Sequence, residues 1–469
     1  MGDEARDVPG AGEQLDLFGA PPGRAGSPGI TPEFDQGNLE PPQQIYVHFR
    51  NEEDRRAFSG RIGHPITSLT TTVNFSRGAA ATGSAYPAPL GPRDAGEQLA
   101  LFEAPEKWEE CWGGMPEFDQ RDLTSYQEIL VLLSGDVDRR RFAEIADQPI
   151  SVRTRSIWFP RAEVGRFADK RYATEAGIVP RYPVYVPTKG RYDSLLTIRA
   201  LEEIGVPFMA VVEAQEFDAY AAVVDPAQLL VLPHRDKGLV VTRNWIWDHA
   251  LASGTPRFWT IDDNIRGFFR LNRNLKVPVS SGAIFCAIED FVERYENVPI
   301  AGMNYFMFAS RKERFPPITL NTRVYSNMLI QTDVRDRRGN YYRNEGFFND
   351  DTDLCLRVLK DGWCTVLFNA FLILKSTTMT VKGGLTPYYQ GDGRWRMAKE
   401  LRDKHPDVVQ ITRKWGRWQH QVDYRPFRRN ELRLRPGAVV PDGVEDYGMT
   451  LEVDRGPGDP APRGEGDGG

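Results

Sequence analysis

The chain has 469 residues, a formal net charge of −6 at pH 7, 41% hydrophobic residues and 26% charged residues. Such a balance describes a globular chain with room for two or three domains, and it excludes a protein that coats nucleic acid through its overall field. No apolar run is long enough to cross a bilayer, the start MGDEARDVPGAGEQ lacks the pattern of a secretion signal, and Cys111, Cys286, Cys355 and Cys364 are scattered. The expectation is a protein of a reducing cytoplasm, with no membrane partner, disulfide framework or structural zinc.

In chain order, the first third is governed by an internal repeat. EQLDLF at 13–18 returns as EQLALF at 97–102, and PEFDQ at 32–36 returns at 116–120, both 84 positions later. The same shift lays Asp54-Arg55-Arg56 on Asp138-Arg139-Arg140 and Phe58 on Phe142 without a gap. Each copy predicts a strand (45–49, 129–133), an amphipathic helix (51–62, 135–146) and a second strand (70–75, 154–159). One such unit is too small to bury a core, so the two are expected to pack together. The expected organisation is a flexible start and first unit over 1–95 (core 44–76), then a second unit over 96–165 (core 128–160). The Gly-, Pro- and Ala-rich stretches 19–31 and 78–96 read as linkers.

From 180 to 436 strands and helices alternate. Strands are predicted at 182–188, 207–215, 228–233 and 257–262, and helices at 193–205, 216–224 and 238–254. This pattern implies an α/β fold with a mainly parallel sheet flanked by helices, whose ligand site lies at the strands' C-terminal ends. The tail from 437 to 469, ending GPGDPAPRGEGDGG, reads as disordered.

The last predicted strand ends FWTIDDNI, so Asp262 and Asp263 stand at the sheet edge. They are either a polar cap after a core strand or a pair that holds a divalent cation, Mn or Mg, against phosphate oxygens. Dinucleotide and phosphate-loop glycine motifs are absent. A second acidic cluster, NDDTDLCLRVLKDGW at 349–363, places Asp350, Asp351 and Asp353 in the first turn of an amphipathic helix. It is either a helix-start cluster or the source of a general base.

The acidic pair and DDTDLCLR at 350–357 resemble the GT-A class of nucleotide-sugar glycosyltransferases. The phrases YVPTKGRYDSLLTIRALEEIGVPFMAVVEAQE, LPHRDKGLVVTRNWIWDHA and FWTIDDNI resemble the TET-associated glycosyltransferases more specifically. Those are bacteriophage enzymes encoded beside DNA-base dioxygenases and thought to put sugars on oxidised bases. The resemblance covers about 180–425 and implies a GT-A-like fold working in the host cytoplasm. It implies a nucleotide-sugar donor, a UDP-sugar first, and a divalent cation on Asp263 and Asp262. Donor contacts would come from Thr188, Lys189, Arg191, Glu213, Arg243, Asn244 and Asp262, and Asp351 beside Asp350 would be the catalytic base. A plain surface role is expected for His405.

The acceptor is read from charge. Basic runs with aromatic residues between them occur at 266–276, 334–343 and 393–435, the last with thirteen Arg or Lys against five Asp or Glu. Arg413, Lys414 and Arg417, with Trp415 and Trp418, are candidate nucleic-acid contacts, and the alternative is a solvated cationic helix. Charge thus favours DNA as the acceptor, and the resemblance implies that its modified base is a 5-hydroxymethylated pyrimidine. A protein or glycan acceptor is the rival reading, and a non-enzymatic DNA-binding adaptor is a rival of another class. Finally, Gln14, Leu15, Leu17 and Phe18, repeated as Gln98, Leu99, Leu101 and Phe102, resemble the peptide by which bacterial enzymes dock on the sliding clamp.

Overall fold

The computed structural model describes residues 43–75, 108–161, 169–175, 177–311, 313–376, 392–414 and 416–453. Both Q-L-x-L-F peptides, the linkers 19–31 and 78–96, Trp415 and the end of the tail lie outside these residues.

The N-terminal part runs β1 (Gln43–Phe49), helix Glu52–Ile62 and β2 (Thr72–Asn74), then β3 (Gln127–Leu133), helix Asp136–Ala146 and β4 (Ser156–Phe159). Asn51 starts the first helix by accepting from Asp54 N at 2.8 Å, and Gly63 ends it at a φ of 66°. The strands form one sheet in the order β2-β3-β1-β4. β1 and β3 are antiparallel with Tyr46 opposite Leu130, while β2 runs parallel to β3 and β4 parallel to β1. Each unit's second strand thus pairs with the other unit's first strand. Val47 faces Ile157 as Val131 faces Val73, two pairs related by the 84-residue shift. Ile45, Val47 and Phe49 alternate into a shared core with Phe58, Ile129, Val131, Phe142 and Phe159.

The larger part holds a ten-stranded mixed sheet. Its strands are β6 (Val184–Pro187), β7 (Met209–Glu213), β8 (Leu229–Leu232), β9 (Arg257–Ile261), β10 (Ile265–Asn272), β11 (Leu275–Pro278), β12 (Ile300–Tyr305), β13 (Ile318–Leu320), β14 (Asn327–Gln331) and β15 (Thr365–Lys375). The order is β11-β10-β15-β12-β14-β9-β6-β7-β8, with β13 on β15. β6, β7, β8 and β9 are parallel neighbours, as the alternation of strands and helices predicts. β14 is antiparallel to β9 and to β12, and β15 is parallel to β12. The C-terminal ends of β6, β7, β8, β9, β12 and β15 therefore share one edge. Gly302 in β12 permits a close approach there, since a Cβ would meet Asn327 O at 2.1 Å.

Three expectations need correction. Residues 108–120, expected in the second repeat unit, pack on the large part, where Trp112 joins the core beside Phe291, Phe368 and Phe371. Asp119 N donates to Asn272 Oδ1 at 2.8 Å, and Asn272 Nδ2 to Glu117 at 2.8 Å. The basic run 266–276 turns much of its charge inward. Buried Arg270 pairs with Asp446 at 2.5 Å, Arg273 pairs with Glu117, and Lys276 donates to Phe306 O. Burial brings the Lys276 ammonium down to about 8. The tail is ordered as far as 453: Met449 is buried, and β18 (Thr450–Val453) pairs antiparallel with β5 (Lys170–Ala173).

Candidate active site

The sheet edge gathers the charged residues because each strand carries its apolar run to a polar end. Ile261 is fully buried, and the chain turns at Asp262-Asp263-Asn264 before entering β10. Backbone bonds fix that turn: Asp262 N donates to Ser326 O at 2.7 Å, and Thr197 Oγ1 donates to Asp262 O at 2.6 Å.

Asp262 accepts from Arg243 Nη2 at 2.7 Å on Oδ1 and from Lys375 Nζ at 2.8 Å on Oδ2. Burial opposes its charge, but Lys375 and Arg243 outweigh burial and hold the carboxyl well below the usual range. Asp263 accepts from Arg191 on Oδ1 and from Thr188 Oγ1 at 3.1 Å on Oδ2. Burial pushes Asp263 up to about 6 against the pull of Arg191. Arg243, in helix Leu239–Ala252, also donates to Asp350 Oδ2 at 2.5 Å and so ties the two acidic clusters together. Asp351, next along helix Asp350–Lys360, accepts from Thr352 N at 2.7 Å. Burial and then the neighbouring Asp350 push its carboxyl up to about 6.

The loops after β6, β7 and β8 form the second half of the site. Lys189 donates to Glu213 at 2.8 Å and pairs with Asp236, and Asp236 N donates to Glu213 at 3.1 Å. Tyr220 bonds Thr188 Oγ1 at 2.8 Å and accepts from Arg191 N at 3.1 Å, which shapes the first loop. Leu195, Asp236, Ser326 and Asn349 all adopt positive φ around this edge. Such strain in non-glycine residues is characteristic of functional sites.

Several expectations are refined here. Asn244 does not offer its amide to the site: it donates to Asn344 O at 3.1 Å and accepts from Asn344 N at 3.0 Å, holding the chain ahead of Asp350. His405 is buried, not on the surface, and bonds Asp353 Oδ1 at 2.9 Å. Burial works against the charge of Asp353, yet His405 and Arg357 hold its carboxyl below the ordinary value. The segment 393–435 is not one cationic helix. Helix Gly393–Lys404 is followed by a hairpin of β16 (Val409–Lys414) and β17 (Arg417–Val422), where Arg413 faces Trp418. The Arg413 guanidinium lies 5.7 Å from the Trp418 ring centre, and Arg413, Arg417 and Trp418 are exposed. Just beyond the hairpin, Tyr424 lies within electrostatic range of Asp351.

Sequence reasoning missed Lys375, Tyr305 and Ser326. Lys375 ends the apolar strand TVLFNAFLILK and donates to Ser326 Oγ at 2.6 Å and Tyr305 OH at 3.3 Å as well as to Asp262. Its signal was the one that marked Asp262, a charge closing a buried run.

The divalent cation expected on Asp262 and Asp263 does not fit this arrangement. All four carboxylate oxygens of the pair accept from a protein donor, three of them from cations. Among the described residues no group of three or more His, Cys, Asp or Glu side chains is placed to hold a metal ion.

A parallel α/β edge lined with carboxylates, guanidiniums and an ammonium is a candidate site for a polar ligand. Residues 182–384 match the family model of the TET-Associated Glycosyltransferase, and the domain they form belongs to that family. The match covers less than half of the chain, and every site residue from Thr188 to Lys375 falls within it. No curated protein matches the chain. Among the described residues no helix is long and apolar enough to cross a membrane.

Proposed function

We propose that the chain moves a sugar from a nucleoside diphosphate donor, a UDP-sugar first, to the hydroxymethyl group of a 5-hydroxymethylated pyrimidine in DNA. The domain is read as GT-A-like, and the setting as hypermodification of bacteriophage DNA in the host cytoplasm. The observation that carries the reading is the placement of Asp351. A carboxyl with acidity near neutrality stands in the charge cluster at the strand ends of a TET-associated glycosyltransferase domain.

Thr188, Lys189, Arg191 and Glu213 line the nucleotide side, where the Lys189 ammonium is half-exposed between Glu213 and Asp236. Asp351 takes the proton of the acceptor hydroxyl. The hydroxyl oxygen then bonds to the anomeric carbon as the bond from that carbon to the diphosphate oxygen breaks, and the diphosphate leaves with the electron pair. The exposed Arg413, Arg417 and Trp418 supply a phosphate-neutralising and base-stacking surface for the DNA. The Q-L-x-L-F peptides would hold the enzyme at a sliding clamp.

The test is incubation with UDP-sugars and DNA carrying either 5-hydroxymethylcytosine or cytosine, followed by mass spectrometry of the released nucleosides. A hexose mass added only to the hydroxymethylated nucleoside is expected. Transfer to protein or glycan with none to DNA would overturn the reading.

A further inference from the structure

We propose that transfer by this enzyme needs no divalent cation, because Lys375, Arg243 and Arg191 supply the positive charge that opposes the departing diphosphate. The inference rests on the glycosyltransferase reading but makes a separate claim about how the charge is met.

A divalent cation on these carboxylates would have to share each oxygen with a donor already bonded to it. Asp262 Oδ1 accepts from Arg243 and Oδ2 from Lys375, while Asp263 Oδ1 accepts from Arg191 and Oδ2 from the Thr188 hydroxyl, so a metal would stand against three fixed cations. Seating a metal would mean evicting a buried ammonium or guanidinium and leaving it beside a double charge, which is electrostatically unfavourable. Nor is the lysine a chance neighbour. It ends β15, on the edge where β9 delivers Asp262, and Ser326 and Tyr305 hold its ammonium on that edge.

Asp262 acts as a positioning residue, aiming Arg243 and Lys375. Fixed cations in a water-poor site stabilise developing phosphate charge without reorganising, which is the service a metal would otherwise provide. The buried Arg243 Nε has no protein partner, and Asn264 Oδ1 in the turn is likewise buried without one, so the site keeps polar atoms in reserve for a ligand.

Two measurements on the full chain test this. Sugar transfer to hydroxymethylated DNA should run at the same rate in EDTA as in added Mn or Mg, whereas loss of transfer in EDTA restored by Mn would overturn the proposal. Independently of turnover, a titration of wild-type protein with Mn(II), read by the free-ion paramagnetic resonance signal, should leave that signal undiminished. Lys375→Ala should create one-to-one binding by freeing Asp262, and Lys375→Arg should not. One-to-one Mn(II) binding by the wild type, lost in Asp263→Asn, would overturn the assignment. If no sugar moves with or without metal, the DNA-glycosylation reading falls, and the Mn(II) titration still decides the charge assignment.

Discussion

Asp351 shares a helix turn with Asp350 but not its fate: Asp350 is neutralised by Arg243, while Asp351 has only a backbone amide and its neighbour's hydroxyl. Its carboxyl moves from an ordinary 3.8 up to about 6, so between those values the folded chain holds a proton that the unfolded chain has released. This group's contribution to stability is fully present below 3.8 and is lost as pH rises through about 6. Turnover should therefore climb as pH passes about 6, where the base form appears. Asp351→Asn should lower kcat by roughly 10²–10⁴-fold, with donor affinity retained. Its melting temperature at pH 8 should not fall below that of the wild type, because the substitution removes an ionisation that burial opposes. A collapse of donor affinity, or a marked loss of melting temperature, would make Asp351 structural. Asp262 and Asp263 were legible as sequence because acids closing an apolar strand are conspicuous. The bridge from Arg243 to both acidic clusters was not, since it joins residues 107 positions apart that only the sheet order brings together.

The hairpin Val409–Val422 is the element where local signals were available and outweighed by composition. Its β-branched residues Val409, Ile411 and Thr412 and a turn glycine, Gly416 at a φ of 72°, favour strands. Read by charge alone, the same residues suggested a solvated helix. As a hairpin the segment presents cations and Trp418 together on a short exposed ribbon. Replacing Arg413, Lys414 and Arg417 by Gln should weaken DNA binding and reduce the salt slope by about 0.9 for each cation that contacts phosphate. Titrations at several salt concentrations would show this, and an unchanged slope would remove the hairpin from the DNA surface. The strands and helices from 182 to 262 were the most legible part, because each βα unit is closed by its own turn residues. The docking of residues 108–120 was the least legible, because it depends on side-chain partners in β10 that no periodicity announces.

At the scale of the molecule, the C-terminal end of the described chain is tied to the large part. Residues 444–453 close over it through a bridge from Val444 to Met115, buried Met449, the pairing of Asp446 with buried Arg270, and β18 on β5. A chain ended at residue 436 should be measurably less stable, since Arg270 would lose its carboxylate and the buried Met449 would be removed. Denaturant titration against the full chain measures this, and equal midpoints would make the segment an ornament. The Q-L-x-L-F peptides make a different claim on the whole chain. Bacterial sliding clamp should bind the full protein and release it when Leu17, Phe18, Leu101 and Phe102 are all changed to Ala, as pull-down at micromolar concentration would show. The four-stranded sheet carries a consequence for how such a chain could arise. Because a unit's two strands do not pair with each other, a solitary unit leaves both edges of its first strand and the inner edge of its second unpaired, and what satisfies them best is an identical unit. A one-copy ancestor would have worked as two exchanged polypeptides, and gene fusion would later have freed their assembly from dilution.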